Sequence, residues 1–321
     1  MRVVSSIVEA IAPTSIALGN FDGIHRGHQQ VIAPAIAYAQ RAKQTVVIGG
    51  DKPQSLCPTV VTFDPHPREF FSGNLKRLLT PLPEKAELLS QLGIEQLVLL
   101  PFDRELSALS PEEFIRDILI KKLKVQHISI GLDFCFGRSR SGNSTDLRLI
   151  ASGMGVEVSI APLFKEEGDR ISSSAIREAL INGELETANS LLGRPYSLQG
   201  EVVHGQKLGR KIGFPTANIE FSAKKFLPKY GVYAVQVSGA PFQTPQKGIL
   251  NVGCRPTVDP DAVNPTVEVH LFNYDQQLYG ETLTLELLHY IRPEQKFESI
   301  DSLKAQIQQD CDRTKRLFNL S

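Results

Sequence analysis

Gly19-Asn20-Phe21-Asp22-Gly23-Ile24-His25-Arg26-Gly27-His28 follows the apolar run Ser15-Ile16-Ala17-Leu18 and leads into the Ala-rich segment Gln29 to Lys43. The run reads as a buried strand and the segment as a helix. A strand, a glycine-rich turn and a helix start form a setting in which backbone N–H groups approach phosphates closely. Gly19, Phe21, Asp22 and Gly23 are the candidate nucleotide-binding positions of that turn. His25 and His28 fall on one side of a first helical turn, where imidazoles can hydrogen-bond phosphate oxygens. The plainer reading is a surface turn with two incidental histidines.

Working outward, strands and helices alternate through the first half, the pattern of a parallel sheet with helical crossovers. Thr45 to Gly49 reads as a short strand, Gly50 to Pro58 as a loop insertion, and Thr59 to Phe63 as a strand. That strand stops at Asp64-Pro65-His66-Pro67, because two prolines fix the backbone. Polar residues at the C-terminal end of such a strand sit where open α/β sheets place ligands. A helix is expected over Pro83 to Leu92 and a strand over Gln96 to Leu100. Ser110-Pro111-Glu112-Glu113 starts another helix, with Ser as N-cap and proline at the first position. A strand over His127 to Gly131 leads into Asp133-Phe134-Cys135-Phe136-Gly137, then a helix over Leu147 to Ser152 and a strand over Val156 to Ala161. Arg170-Ile171-Ser172-Ser173-Ser174-Ala175-Ile176-Arg177 opens a further helix; its hydroxyls are caps, or with the two arginines an anion site.

At 321 residues, two domains are the default expectation. Lys+Arg and Asp+Glu both number 35, and this balance argues against a general nucleic-acid binder. Cys57, Cys135, Cys254 and Cys311 lack CxxC spacing, so neither a zinc site nor a disulfide framework is expected, and the cytoplasm is the natural compartment. Met1 to Pro13 lacks the long apolar core of a signal peptide, and no apolar run approaches membrane-spanning length.

The character changes at Gly193-Arg194-Pro195. Short β-rich runs follow: Ser197 to Val203, Gly231 to Val237, Lys247 to Val252, Thr266 to Phe272 and Thr282 to Leu288. Ser299 to Leu317 reads as a helix with Leu303, Ile307 and Cys311 at helical spacing. Several short strands and one helix predict a small closed barrel. The expected division is residues 1–186 and 187–321. Within the barrel, Gly205, Lys207, Gly209 and Arg210 suit a phosphate-cradling loop without being a Walker motif. Thr216 and Asn218 alternate with Ala217 and share one face of an extended segment, where their oxygens can help hold a cation such as Mg²⁺. Glu268 lies inside an apolar β-run and can serve as a general base; an exposed glutamate on a half-buried strand is the duller alternative.

These motifs occur in a familiar order. GNFDGIHRGH, TFDPHP, GLDFCFG and RISSSAIR resemble the FMN adenylyltransferase module of bacterial FAD synthetases, a nucleotidyltransferase fold. KLGRKIGFPTAN, LNVGCRPT, VEVHLFNYDQQLYG and RPEQKF resemble the riboflavin kinase module that follows it. The resemblance implies a Rossmann-like α/β domain with a parallel sheet, then a riboflavin kinase-like β-barrel with a terminal helix. It implies a bifunctional enzyme with ATP, riboflavin and FMN as substrates, FAD as product, and Mg²⁺. It assigns His25, His28 and Arg177 to adenylyl transfer, Asp133, Arg170 and Ser173 to the nucleotide, and Asp64 and His66 to the flavin pocket. In the second module it assigns Glu268 as catalytic base, Thr216 and Asn218 to metal, Gly205, Lys207, Gly209 and Arg210 to ATP, and Arg292 to flavin. Ser174 stands where the family usually has Thr, and Ala175 where Arg is frequent. A monomer or weak homo-oligomer is expected, without nucleic-acid or membrane partners. The competing readings are a kinase with a degenerate first domain, and a flavin-binding carrier or RNA-binding regulator on the same folds.

Overall fold

The structure, a computed structural model, describes residues 1–44, 55–166, 169–205, 208–255 and 264–320. The expected strand Thr45 to Gly49, most of the expected loop insertion and Lys207 lie outside them. The chain divides into two compact units, Met1–Ser172 and Ser173–Ser321.

In the first unit, six parallel strands are β1 (Arg2–Val4), β2 (Thr14–Leu18), β3 (Cys57–Asp64), β4 (Gln96–Pro101), β5 (Val125–Gly131) and β8 (Glu157–Ala161). Short antiparallel pairs are β6 (Cys135–Phe136) with β7 (Gly142–Asn143), and β9 (Lys165–Glu166) with β10 (Asp169–Arg170). The order β1-β4-β3-β2-β5-β8 puts β2 beside both β3 and β5, with Leu18 opposite Val61 and Ile16 opposite Ile128. The chain runs outward from β2 through β3 and β4, then returns to β5 on the other side. This reversal is a topological switch point, and its crevice opens at the strands' C-terminal ends.

The first unit's helices are α1 (Arg26–Gln44), α2 (Pro67–Ser72), α3 (Leu82–Gln91), α4 (Arg104–Ala108), α5 (Pro111–Glu113) and α6 (Ser144–Gly153). On one face Ala17, Val60, Leu97 and Leu99 pack with Val31, Ile32 and Ala35 of α1 and Leu89 of α3. On the other, Ile16, Leu18, Val61 and Ile128 pack with Ile115, Leu119 and Leu147. Burial of each of the Val, Leu and Ile side chains stabilises the fold by about 1.5–3 kcal/mol. β2 is buried at every position, as its apolar run requires.

The second unit opens with α7 (Ser173–Asn182) and α8 (Leu185–Leu192), which ends on left-handed Gly193. The strands β11 (Tyr196–Val203), β12 (Ala217–Phe221), β13 (Gly231–Gly239), β14 (Gln246–Arg255), β15 (Asn264–Leu271) and β16 (Thr282–Pro293) close an antiparallel barrel in the order β11-β12-β15-β14-β13-β16. One turn, α9 (Leu208–Lys211), and a final helix, α10 (Ile300–Leu317), complete the unit. Val267 and Val269 point inward opposite Val252 and Leu250. Cys311 of α10 packs on the outer side with Val232, Ala234 and Ile249. Asn189 ties α8 to the barrel: its Nδ2 donates to Leu287 O at 3.0 Å, and its Oδ1 accepts from Tyr196 N at 2.7 Å. The backbone thus groups both helices with the barrel, whereas composition alone puts the change near Gly193.

Several local expectations need correction. Cys57 and Pro58 belong to β3 and not to the loop before it; a parallel neighbour needs only the Pro58 carbonyl, which accepts from Glu95 N at 3.0 Å. The helix after Ser110 has its capping box with Glu113 but continues as π-helix over Phe114–Ile120. The glycine-rich segment before PTAN contains the turn α9. β1 and α2 are elements that the sequence pattern does not announce, and the extended segment at Thr216 to Asn218 runs on as β12 to Phe221. No described helix is long and apolar enough to cross a membrane.

His127 on β5 is 1% exposed. Ser15 Oγ donates to Ala35 O at 2.8 Å, so it accepts from His127 Nδ1–H at 3.1 Å, and Ser159 Oγ donates to Nε2 at 2.8 Å. Tyr38 stacks on the ring with centroids 4.6 Å apart. Burial, with a small contribution from the Arg41 cation, lowers the His127 pKa to about 4. Between pH 6.5 and 4 the unfolded chain takes up a proton that the folded site refuses. Stability is therefore full above pH 6.5 and falls by up to about 3 kcal/mol on approach to pH 4. Urea unfolding of His127→Gln at pH 7 and pH 4.5 checks this: the variant is expected to lose less stability on acidification than the parent.

Candidate active sites

The first candidate site is built on the turn between β2 and α1. The turn runs through left-handed backbone at Phe21 (φ 47°), Gly23 (φ 94°) and Ile24 (φ 42°), conformations unfavourable for bulky or β-branched residues. Groups from elsewhere hold it there. Thr80 Oγ1 accepts from Gly23 N at 2.9 Å, while Asp22 Oδ1 accepts from Thr80 N at 3.2 Å. Thr62 Oγ1 and Lys85 Nζ both donate to Asn20 O, at 3.3 and 2.8 Å. A methyl group at Gly19 would press on the Phe21 ring at 3.2 Å, so glycine lets that ring fold back under the turn.

His25 is buried just before α1, and its ring stacks on that of His28 with centroids 3.6 Å apart. His25 Nδ1 accepts from His28 N at 3.3 Å, and the edge of Phe21 meets His28. Gly27 lies against the His25 ring, where a side chain would meet Nδ1 at 3.3 Å and Phe164 at 3.6 Å. The spacing that put both histidines on one side is realised as a packed pair.

At the end of β3, the exposed Asp64 precedes His66, whose Nδ1 caps α2 by accepting from Arg68 N at 3.0 Å. Lys76 Nζ lies 2.8 Å from His66 Nε2. Burial first, then the Lys76 cation, pushes the His66 pKa down to about 4. Beside it Phe63, Phe70, Phe71 and Phe102 form an edge-to-face aromatic cluster, with Phe71 72% exposed. After β5, at the switch point, the Asp133 carboxylate is ion-paired with Arg170. The structure thereby joins two motifs separated by 37 positions. Ser173 and Arg177 fall in the second compact unit, where Arg177 NH1 donates to Ser173 O at 3.1 Å and its guanidinium lies over the Phe226 ring.

The second candidate site lies on the outer face of the barrel. β15 places Glu268 opposite Asn218 of β12 on one side and Asn251 of β14 on the other. Directly opposed residues share a face and contact distance. A methyl group at Gly205 would land on the Asn218 amide, and one at Gly209 would land on the Phe214 carbonyl and come within 3.2 Å of Thr216 Oγ1. The two glycines therefore let the loop close on the PTAN segment. Pro215 O accepts from His270 Nδ1 at 2.8 Å, which fixes the start of that segment. Arg210 lies on α9. The register continues this row from Asn251 through Val232 to Arg292, whose Nε and NH2 grip the buried Asp310 of α10 at 2.9 Å.

Lys85, Thr62, Thr80 and Asn251 were not singled out from the sequence. The first three hold the turn from distant elements, and only the barrel register places Asn251 beside Glu268. The signal available for Lys85 was a lysine at a buried position of an amphipathic helix.

A parallel α/β unit with a stacked histidine pair at its switch point, followed by a barrel carrying a Gly-rich loop against PTAN, has the build of a two-domain, nucleotide-using transferase. Residues 8–175 match the FAD synthetase family model and residues 192–318 the riboflavin kinase family model. Bifunctional riboflavin kinase/FMN adenylyltransferases are similar along nearly the whole chain. That of Escherichia coli K12 is 39% identical, covering 95% of this chain and 93% of its own length, and that of Bacillus subtilis 38%, covering 98% and 95%. A crystal structure described as a macrolide-efflux protein from Streptococcus pneumoniae superposes with TM-score 0.81 at 30% identity over 98% of both chains. The chain belongs to the bacterial bifunctional riboflavin kinase/FMN adenylyltransferase family.

The Gly205 contact gives a direct test. Gly205→Ala forces the Asn218 amide or the loop to move, and FMN formation from riboflavin is expected to fall roughly tenfold or more. FAD formation from supplied FMN, assayed on the same preparation, is expected to be retained.

Proposed function

We propose a residue-level account of the two reactions of this bifunctional enzyme, which phosphorylates riboflavin to FMN with ATP and adenylylates FMN with a second ATP to give FAD and pyrophosphate. The observation that supports it most is the stacked His25–His28 pair on a pinned turn, beside the separate Asn218–Glu268–Asn251 row of the barrel.

In adenylyl transfer, a phosphate oxygen of FMN attacks the α-phosphorus of ATP and the bond to the β-phosphate oxygen breaks. His25 and His28 donate to the phosphate oxygens as charge builds, and Gly19, Phe21, Asp22 and Gly23 shape the backbone cradle. Arg170, Ser173 and Arg177 hold the departing pyrophosphate, and Asp133 contacts nucleotide from the loop that Arg170 fixes. Such transfer depends on positioning and electrostatics more than on covalent help. Asp64 and His66 border the flavin pocket, and the Phe71 cluster offers a planar apolar surface suited to an isoalloxazine ring.

In the kinase reaction, Glu268 accepts the proton of the riboflavin 5′-hydroxyl as that oxygen attacks the γ-phosphorus and ADP departs. Gly205, Lys207, Gly209 and Arg210 cover ATP. Thr216 and Asn218 would hold Mg²⁺: with glycine at 205 and 209 no side chain crowds the Asn218 amide or Thr216 Oγ1. Among the described residues no cluster of three His, Cys, Asp or Glu gathers, so a hard cation there would share its coordination with nucleotide phosphates. Bound there, Mg²⁺ supplies charge neutralisation for the phosphoryl oxygens. Arg292 borders the flavin while anchoring α10.

The functional boundary we propose, 186/187, lies between the two family matches. A kinase-only enzyme is disfavoured, because the first unit matches the FAD synthetase model and retains the packed histidine pair. The charge balance disfavours nucleic acid as a partner, and we take the chain to be a cytoplasmic enzyme, monomeric or weakly self-associating, that acts on small molecules.

Product analysis with riboflavin, ATP and Mg²⁺ tests the whole reading, and two variants separate its halves. Glu268→Ala should lower riboflavin phosphorylation roughly 10²- to 10⁴-fold, the range for loss of a general base, while sparing adenylylation of supplied FMN. His28→Ala should lower FAD formation roughly 10²- to 10³-fold, as for loss of a phosphate-facing donor, and leave FMN formation intact. Parallel loss of both activities in either folded variant would contradict the separation of sites.

A further inference from the structure

Lys85 sits on α3, a helix that packs on the sheet and lies outside every motif used above. It is 8% exposed, and its Nζ donates to Asn20 O at 2.8 Å from within the packed wall. Burying an ammonium is costly unless anions compensate. Burial lowers the Lys85 pKa, and the carboxylates of Asp22, from the turn, and Asp64, from the end of β3, act against that shift and favour the charged form. One cation therefore connects the turn after β2 with the end of β3.

The geometry gives that connection a directional consequence. A trans peptide is planar, with its carbonyl and N–H pointing opposite ways. Thr62 and Lys85 draw the Asn20 carbonyl inward, so the N–H of Phe21 in the same peptide plane faces away from Lys85. Phe21 then continues in left-handed backbone at φ 47°, and a bulky residue stays there only when its surroundings dictate it.

We infer that Lys85 is a positioning residue for adenylyl transfer, whose ammonium pins the Asn20 carbonyl and so holds the Phe21 N–H outward as a fixed donor to nucleotide phosphate. This rests on the reading of the first unit as the adenylyltransferase. Lys85 touches no reacting atom. It acts through one peptide plane and keeps Asp22 and Asp64 from repelling the incoming triphosphate.

The test uses the full-length enzyme and steady-state kinetics of both reactions. Lys85→Met removes the cation at similar length, and the KM for ATP in FAD formation is expected to rise roughly tenfold or more, as for loss of a charge-assisted hydrogen bond. Riboflavin phosphorylation by the same preparation serves as its internal control and is expected within about twofold of the parent. A residue that merely stabilised the fold would lower the active fraction, and thus kcat, with the KM for ATP unchanged; that result would overturn the proposal, as would parental kinetics. Lys85→Arg keeps the charge and is expected to recover part of the ATP affinity. Should Lys85→Met not fold, Thr62→Val removes the second donor to the same carbonyl, and a KM for ATP equal to the parent's would overturn the proposal. A parent that makes FMN but no FAD would instead refute the adenylyl-transfer reading. In that case site-resolved calorimetry with ATP would still show whether Lys85→Met weakens one of the two nucleotide sites.

Discussion

The first unit depends on holding an unfavourable backbone in place. Phe21 and Ile24 each occupy left-handed conformations that cost roughly 1–2 kcal/mol for an L-residue. Local sequence supplies the glycines at positions 19, 23 and 27 but cannot by itself keep Phe21 and Ile24 there. The restraint comes from Thr62 on β3 and from Thr80 and Lys85 at α3 or just before it. These are held by the same core that packs α1 and α3 on the sheet. The site therefore inherits its precision from sheet packing, and loosening α3 would loosen the turn.

The barrel reaches comparable definition by another route. Val267 and Val269 point inward, so Glu268 must point outward; slipping β15 by one residue would bury the carboxylate and expose the valines. That exchange is prohibitive, and the same register brings Asn218 and Asn251 to either side of Glu268. Gly205 and Gly209 add what register cannot, an approach of one loop to Asn218 and Thr216 that no side chain would permit.

Much of this was legible in the sequence, for identifiable reasons. Buried strands such as β2 and β4 are continuous apolar runs, and α10 has a strong cap and a clear apolar face. The histidine pair was readable because three-residue spacing is a local property. The edge strand β1, three residues long, has too little pattern to detect. α2 was hidden because its cap is a histidine, an uncommon N-cap. The roles of Lys85, Thr80 and Asn251 are long-range: each depends on which strand or helix lies next door, information that no local spacing contains. α7 and α8 have the composition of crossover helices, yet Asn189 ties α8 to the barrel, a long-range contact that composition does not carry.

The contrast between the two sites follows from their nucleophiles. The phosphate of FMN is already anionic at neutral pH, so adenylyl transfer needs no base and needs instead donors that tolerate crowded negative charge. The first unit meets this with a histidine pair and a pinned turn, and its carboxylates are compensated: Asp133 by Arg170, and Asp22 by the Thr80 amide and the Lys85 cation. The riboflavin hydroxyl is neutral and must lose a proton as it attacks. On the proposed reading the barrel meets this with Glu268, which the strand register sets between Asn218 and Asn251. Carboxylates left uncompensated in the first unit would repel both substrates. On the proposed reading, carboxylates take different parts in the two halves because one acceptor arrives charged and the other does not.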